Sequence, residues 1–199
     1  MKPAWKRFWP CASALAVLVA APPAVLGANT PRHTREFKLA GLRPGVDTIQ
    51  SASRKLGKGY ELTWQTEDGR AVVWRRVCPR PIEVKAEADS RGLIESLTVE
   101  GWHYPGDADC EGSSDQAYAK ALPGTGRGLK IYGRCERVQE IYGTPEPKAS
   151  STSNGKQLES YTYTFESNSK STLRFEVSCD LSSDTVNKLR LETVGASAQ

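Results

Sequence analysis

Few residues of this 199-residue chain stand at spacings that chemistry requires. The densest polar cluster is His103, Asp107, Asp109 and Glu111, from which a hydrolase could draw a base and an orienting carboxylate. It carries no nucleophile at a defined offset and no calcium-loop spacing, so a solvated acidic loop is the stronger expectation. Gly124-Thr-Gly-Arg-Gly-Leu-Lys130 has the glycine content of a phosphate cradle. A P-loop needs G-x4-G-K-[ST] after a strand, and this lysine is displaced and followed by no hydroxyl. A flexible entry into the next element is expected there, with weak anion binding at Arg127 and Lys130 as the remainder. Arg75, Arg76 and Arg80 lie near Trp74, but no nucleic-acid-binding motif accompanies them, so no DNA or RNA partner is expected. No cofactor, no metal and no catalytic residue is expected, and the chain is read as a non-enzyme.

The cysteines offer a different chemistry. No C-x-x-C occurs, and beyond the first 28 residues the only histidines are His33 and His103, which disfavours zinc. Disulfides are the alternative, but five cysteines cannot all pair. The N-terminus resolves the count. Lys2, Lys6 and Arg7 precede an 11-residue apolar run from Cys11 to Ala21, followed by Pro22-Pro23 and the small residues Gly27 and Ala28. That order describes a secretory signal peptide, and the run is far short of the ~20 residues of a membrane span. Cleavage after 1–28 would remove three cations, no acid and Cys11, lowering the formal charge from +4 to +1 and leaving four cysteines. The expected product is exported to a periplasm or the exterior, with no membrane anchor after cleavage. Cys11 precedes the apolar run, so it is not a lipobox cysteine.

The elements that must position these residues read as two copies of one pattern. Ile49, Ala52 and Leu56 recur as Cys135, Val138 and Tyr142 at an offset of 86, each set at i, i+3, i+7 and each ended by glycine, Gly57 and Gly143. This spacing predicts two short helices with one apolar face apiece. Asp47 with Gln50 suggests a capping box, and the glycines suggest left-handed C-caps. After each helix the period becomes two. Tyr60, Leu62 and Trp64 alternate before a turn at Glu67-Asp68-Gly69, and further strands run over 71–78, 82–88 and 93–102. In the second copy, Tyr161, Tyr163 and Phe165 alternate, as do Leu173 to Leu181, and a last strand carries Leu189 and Leu191. The segment 103–125 reads as a linker and 148–156 as an exposed loop. The expected fold is α+β, two tandem repeats of a short helix on a three- to four-stranded antiparallel meander. The units are 29–115 (with the linker) and 116–199, after the signal peptide 1–28.

Four cysteines allow three connectivities. Cys135 on an inward helix face and Cys179 on the apolar face of a strand in the same unit favour Cys135–Cys179, leaving Cys78–Cys110. The Gly-Leu…Val…Tyr-Gly-x-Pro145 helix followed by a meander resembles the SmpA/OmlA outer-membrane assembly lipoproteins. Two such units in tandem are similar to the β-lactamase-inhibitory proteins. The resemblance spans roughly Phe37 to Val194 and implies non-enzymatic holding of a partner against the exposed face of the sheet. The chain departs from it in lacking a lipobox cysteine and a recognisable inhibitory loop.

Aromatic side chains supply the candidate contact surface: Trp64, Trp74, Trp102, Tyr104, Tyr161 and Tyr163 lie on or beside expected strands. Most should be core, but rings left on an open sheet face are favoured anchors in protein interfaces. The resulting expectation is an exported binding module that recognises a protein partner, with enzyme inhibition as one form. An extracytoplasmic hydrolase using His103 to Glu111, or a purely structural envelope protein, are the alternatives.

Overall fold

The computed structural model describes residues 38–57, 59–78, 80–102, 122–145, 148–153, 156–166 and 172–195. Helix α1 (Ile49–Leu56) leads into β1 (Glu61–Gln65), β2 (Ala71–Arg76), β3 (Ile82–Ala88) and β4 (Ile94–Gly101). Helix α2 (Glu136–Tyr142) leads into β5 (Lys148–Ser153), β6 (Lys156–Glu166), β7 (Thr172–Asp180) and β8 (Thr185–Val194). All eight strands belong to one antiparallel sheet in the order β1-β2-β3-β4-β8-β7-β6-β5. The expectation of two helix-plus-meander repeats in an α+β fold is therefore corrected. The class is largely β, because β4 and β8 pair from Ser96↔Glu192 to Glu100↔Lys188 and fuse all the strands into one layer. The helices are only 8 and 7 residues long.

Strand alternation divides the sheet into two chemically different faces. One ladder of directly opposed residues runs Trp74–Val84–Val99–Leu189–Val177–Tyr161 from β2 to β6. Two residues along, a second runs Val72–Ala86–Leu97–Leu191–Phe175–Tyr163. Every member is buried, and they share one core cluster with Ala52 and Leu56 of α1 and Val138 and Tyr142 of α2. The Tyr142 ring lies 4.9 Å from Phe175 and 5.4 Å from Tyr163, centroid to centroid. The opposite face carries the intervening residues, among them the row Glu61–Arg75–Glu83–Glu100–Lys188. Several of its charges are paired: Arg75 Nε with Glu83 at 2.8 Å, Lys85 with Glu87 at 2.7 Å, Lys188 with Glu100 at 3.3 Å. Glu192 is clamped between Arg174 Nε at 2.6 Å and Arg190 Nη2 at 2.6 Å.

Local signals explain most element boundaries, with shifts of position. The cap of α1 is Thr48, one residue beyond the expected Asp47: its hydroxyl accepts from the Ser51 N–H while its own N–H donates to the Ser51 hydroxyl, a capping box. The left-handed C-caps are corrected as well: Gly57 is right-handed, and Gly143 has φ 81° with ψ −165°. Cys135 is the N-cap of α2 and its disulfide to Cys179 on β7 joins Cα atoms 5.9 Å apart. Residues 148–153, expected as a loop, form β5, with 148–153 and 156–161 opposed in register. Leu39 and Leu42, unassigned by periodicity, are fully buried and exchange backbone hydrogen bonds across Ala40 and Gly41. Both turn residues have positive φ, 51° and 77°, which suits Gly41 and strains Ala40.

Candidate partner-binding surface

Burial sorts the aromatic candidates. Trp74, Tyr161 and Tyr163 are buried, so as contact residues they are corrected to core. Their parity in β2 and β6 matches that of Val72 and Phe165, which places the rings under the helices rather than on the open face. Burial, with Glu159 beside it, pushes the Tyr161 phenol up to about 12, and burial likewise raises Tyr163. Tyr163 donates to the Gly143 carbonyl at 3.0 Å, closing the end of α2. Trp64 is half exposed, at 51%, and Trp102 is partly buried. Tyr104, Cys110 and the whole His103, Asp107, Asp109, Glu111 cluster lie outside the described residues. Cys78 is disulfide-bonded, but its expected partner Cys110 is among those.

The exposed aromatic belongs to the sheet edge. Among the described residues β1 pairs only with β2, and all five of its own residues are exposed. A bulge between Leu62 and Trp64 breaks the expected alternation, for Leu62 stands opposite Trp74 and Trp64 opposite Val73. Those two β2 residues point to opposite faces, so Leu62 and Trp64 flank the edge instead of sharing one side. Leu62 is 54% exposed although it sits at the rim of the apolar ladder. Large apolar side chains exposed on an edge strand are unusual, because edges are ordinarily blunted by charge.

Behind this edge lies a cleft of about 460 Å³ lined by Glu61, Thr63, Arg75, Arg76 and Trp102, among others. The Arg75 guanidinium lies 4.8 Å from the Trp102 ring centre, and Arg76 lies 4.9 Å from that of Tyr60. Arg80 similarly covers Tyr132 at 5.2 Å, so each member of the basic run noted in the sequence is laid on an aromatic face. Arg75 is also held by Glu83, which fixes its side chain across the cleft wall. Sequence reasoning missed Leu62 as a surface residue and Arg75 as the partner of Trp102. The Arg75-to-Trp102 proximity depends on β2, β3 and β4 lying side by side, which no local pattern encodes.

Among the described residues no group of three or more His, Cys, Asp or Glu could hold a metal ion. None of their helices is long and apolar enough to cross a membrane. Searches of protein families, curated proteins and solved structures return no match for the chain. The edge and its cleft are therefore interpreted on their own chemistry. The glycine-rich segment 124–130 is not a flexible entry but a closed turn. Thr125 and Leu129 are joined by a 2.8 Å backbone bond, Gly126 N–H donates to Lys38 and Gly128 N–H to Thr125. Leu129 N–H donates to the Thr125 hydroxyl, which in turn accepts from Tyr142 at 2.8 Å. With these four N–H groups engaged internally, the backbone cannot cradle a phosphate as a P-loop does.

Proposed function

We propose that the protein is an exported, non-catalytic binding module that grips a protein partner at the β1 corner of its sheet. The observation that carries this is the exposure of Leu62 and Trp64 on a strand with no outer neighbour among the described residues. An extended partner segment laid along β1 would satisfy outward-facing backbone groups and cover both side chains, one on each side of the edge. Trp102, Trp64 and Arg75 are the residue types that concentrate binding energy in protein interfaces. The expected aromatic sheet face is replaced in this proposal, because the open face is a lattice of paired charges better suited to solvent. Export is supported by the signal-like N-terminus and by the Cys135–Cys179 bond, which is sustainable in an oxidising compartment. Inhibition of an extracytoplasmic enzyme is the form of partnership that the resemblance to β-lactamase-inhibitory proteins suggests.

Affinity capture from an envelope fraction, with residues 29–199 as bait, tests this. The same bait carrying Leu62→Ala and Trp64→Ala should lose its specific partner by roughly tenfold or more in affinity. Lys85→Ala on the open face should leave capture unchanged. Both sites are exposed, so the melting temperature should move little. Undiminished capture by the doubly substituted bait would remove the β1 corner as the binding surface.

A further inference from the structure

We infer that a second cleft, bordered by Tyr60, is a binding site for a phosphorylated small molecule held by lysine side chains. The cleft has a volume of about 420 Å³, within the range that accommodates a small ligand. Lys38, Lys55 and Lys130 are among the described residues that line it, and none of the described lining residues is acidic. Low-dielectric walls focus the positive potential of an ammonium group into a concavity, and Lys130 supplies that charge here.

Its walls are built rigidly. The turn at Leu39 to Leu42 is zipped to the turn at 124–130 by Ala40 N–H to Gly124 O at 2.9 Å and Gly126 N–H to Lys38 O at 3.1 Å. The last turn of α1 contributes Lys55, and Tyr60 lies four residues beyond its end at Leu56. Lys130 is laid across Gly124, where an added Cβ would meet its side chain at 2.9 Å, and its Nζ donates to the Leu122 carbonyl at 2.8 Å. That bond places the ammonium but leaves its charge uncompensated by the carbonyl, whereas Lys55 is neutralised by Asp47 at 2.8 Å. Burial raises the Tyr60 phenol above its ordinary value, with Arg76 pulling the other way, so the phenol stays a hydrogen-bond donor. Lysines act as point charges suited to a tetrahedral oxyanion approached from several sides, while a planar carboxylate fits the arginine fork better. The backbone N–H groups of the adjoining turn are spent, so selectivity here resides in side chains.

Titration of residues 29–199 with glucose 6-phosphate at low ionic strength, followed by amide chemical shifts, tests the site. Saturable shifts at Gly124, Gly126 and Lys130 are expected, weakened by added salt. Inorganic phosphate should bind at the same amides, and glucose should not bind. Lys130→Gln preserves a donor to Leu122 while removing the charge, and should weaken binding roughly tenfold. Lys55→Gln serves as a second variant should Lys130→Gln lower the melting temperature, and Lys85→Gln on the open face should have no effect. Absence of saturation up to the order of 10 mM would overturn the assignment. So would equal weakening by Lys85→Gln, which would mark diffuse charge attraction. Neither result bears on β1, whose residues are not part of this cleft.

Discussion

Asp47 gathers three donors on one carboxylate: the Arg43 backbone N–H at 2.7 Å, the Ser51 hydroxyl at 3.1 Å and Lys55 Nζ at 2.8 Å. Burial alone would raise its pKa, but the bonds from Lys55, Arg43 and Ser51 outweigh it and hold the carboxyl below its ordinary value of 3.8. The folded state therefore binds its proton less readily than the unfolded chain. The stabilisation is present above pH 3.8 and is lost as pH falls through the lower folded value. Asp47→Asn should cost about 1 kcal/mol at neutral pH, a low figure for a charged hydrogen-bond acceptor because Lys55 is half exposed. Urea denaturation at neutral pH and at about pH 2.5 measures this, and the difference from the natural chain should shrink at the acidic end. The sequence pointed to the right turn but the wrong residue, since Asp47, Thr48 and Ser51 all carry capping oxygens and only the backbone path selects Thr48. Trp74 shows a signal that was present but unused: Glu83, Lys85 and Glu87 alternate with Ile82, Val84 and Ala86, which identifies the charged side as the open one.

At the scale of elements, the two helices are secured by different means. α1 has a capping box and basic residues in its last turn, whereas the Cys135 cap of α2 makes no side-chain hydrogen bond. Seven residues do not sustain a helix in water without tertiary support. The disulfide to β7 and the burial of Val138 and Tyr142 supply that support. Paired substitution Cys135→Ala with Cys179→Ala should lower unfolding free energy by about 4 kcal/mol, the loop-closure value for a separation of 44 residues. Denaturant midpoints measure it, and the α2 amides should lose hydrogen-exchange protection before those of α1. This pairing was legible because a helix face and a strand face each announced their apolar side. β5 was not legible, since Lys148 to Ser153 is polar apart from Ala149 and becomes a strand by pairing with β6.

At the scale of the whole molecule, the seam between β4 and β8 decides cooperativity. Leu97 faces Leu191 and Val99 faces Leu189 across it, all fully buried. Leu191→Ala should therefore cost about 2–5 kcal/mol. It should do so in one transition, with tryptophan fluorescence from β2 and far-ultraviolet circular dichroism changing together. Two separated transitions would mean that the halves of the sheet melt on their own. Each strand could be read from its alternation, but their union could not. Alternation fixes which side chains share a face; it does not say which strand finds which across 83 residues of intervening chain between Gly101 and Thr185. Two separate meanders and one fused sheet satisfy the same local pattern.

β8 is the last of the eight strands along the chain, yet it stands in the middle of the sheet. Until residues 185–194 have emerged, β4 keeps an open edge on one side of the seam and β7 keeps one on the other. A nascent chain thus has two half-sheets with unsatisfied inner borders and no native way to join them. Closure must wait for the final segment, which makes folding a late, non-local event and leaves the inner borders open to wrong pairings. A chaperone that shields exposed strand edges would find its substrate in that interval, and truncation before Thr185 would make the interval permanent.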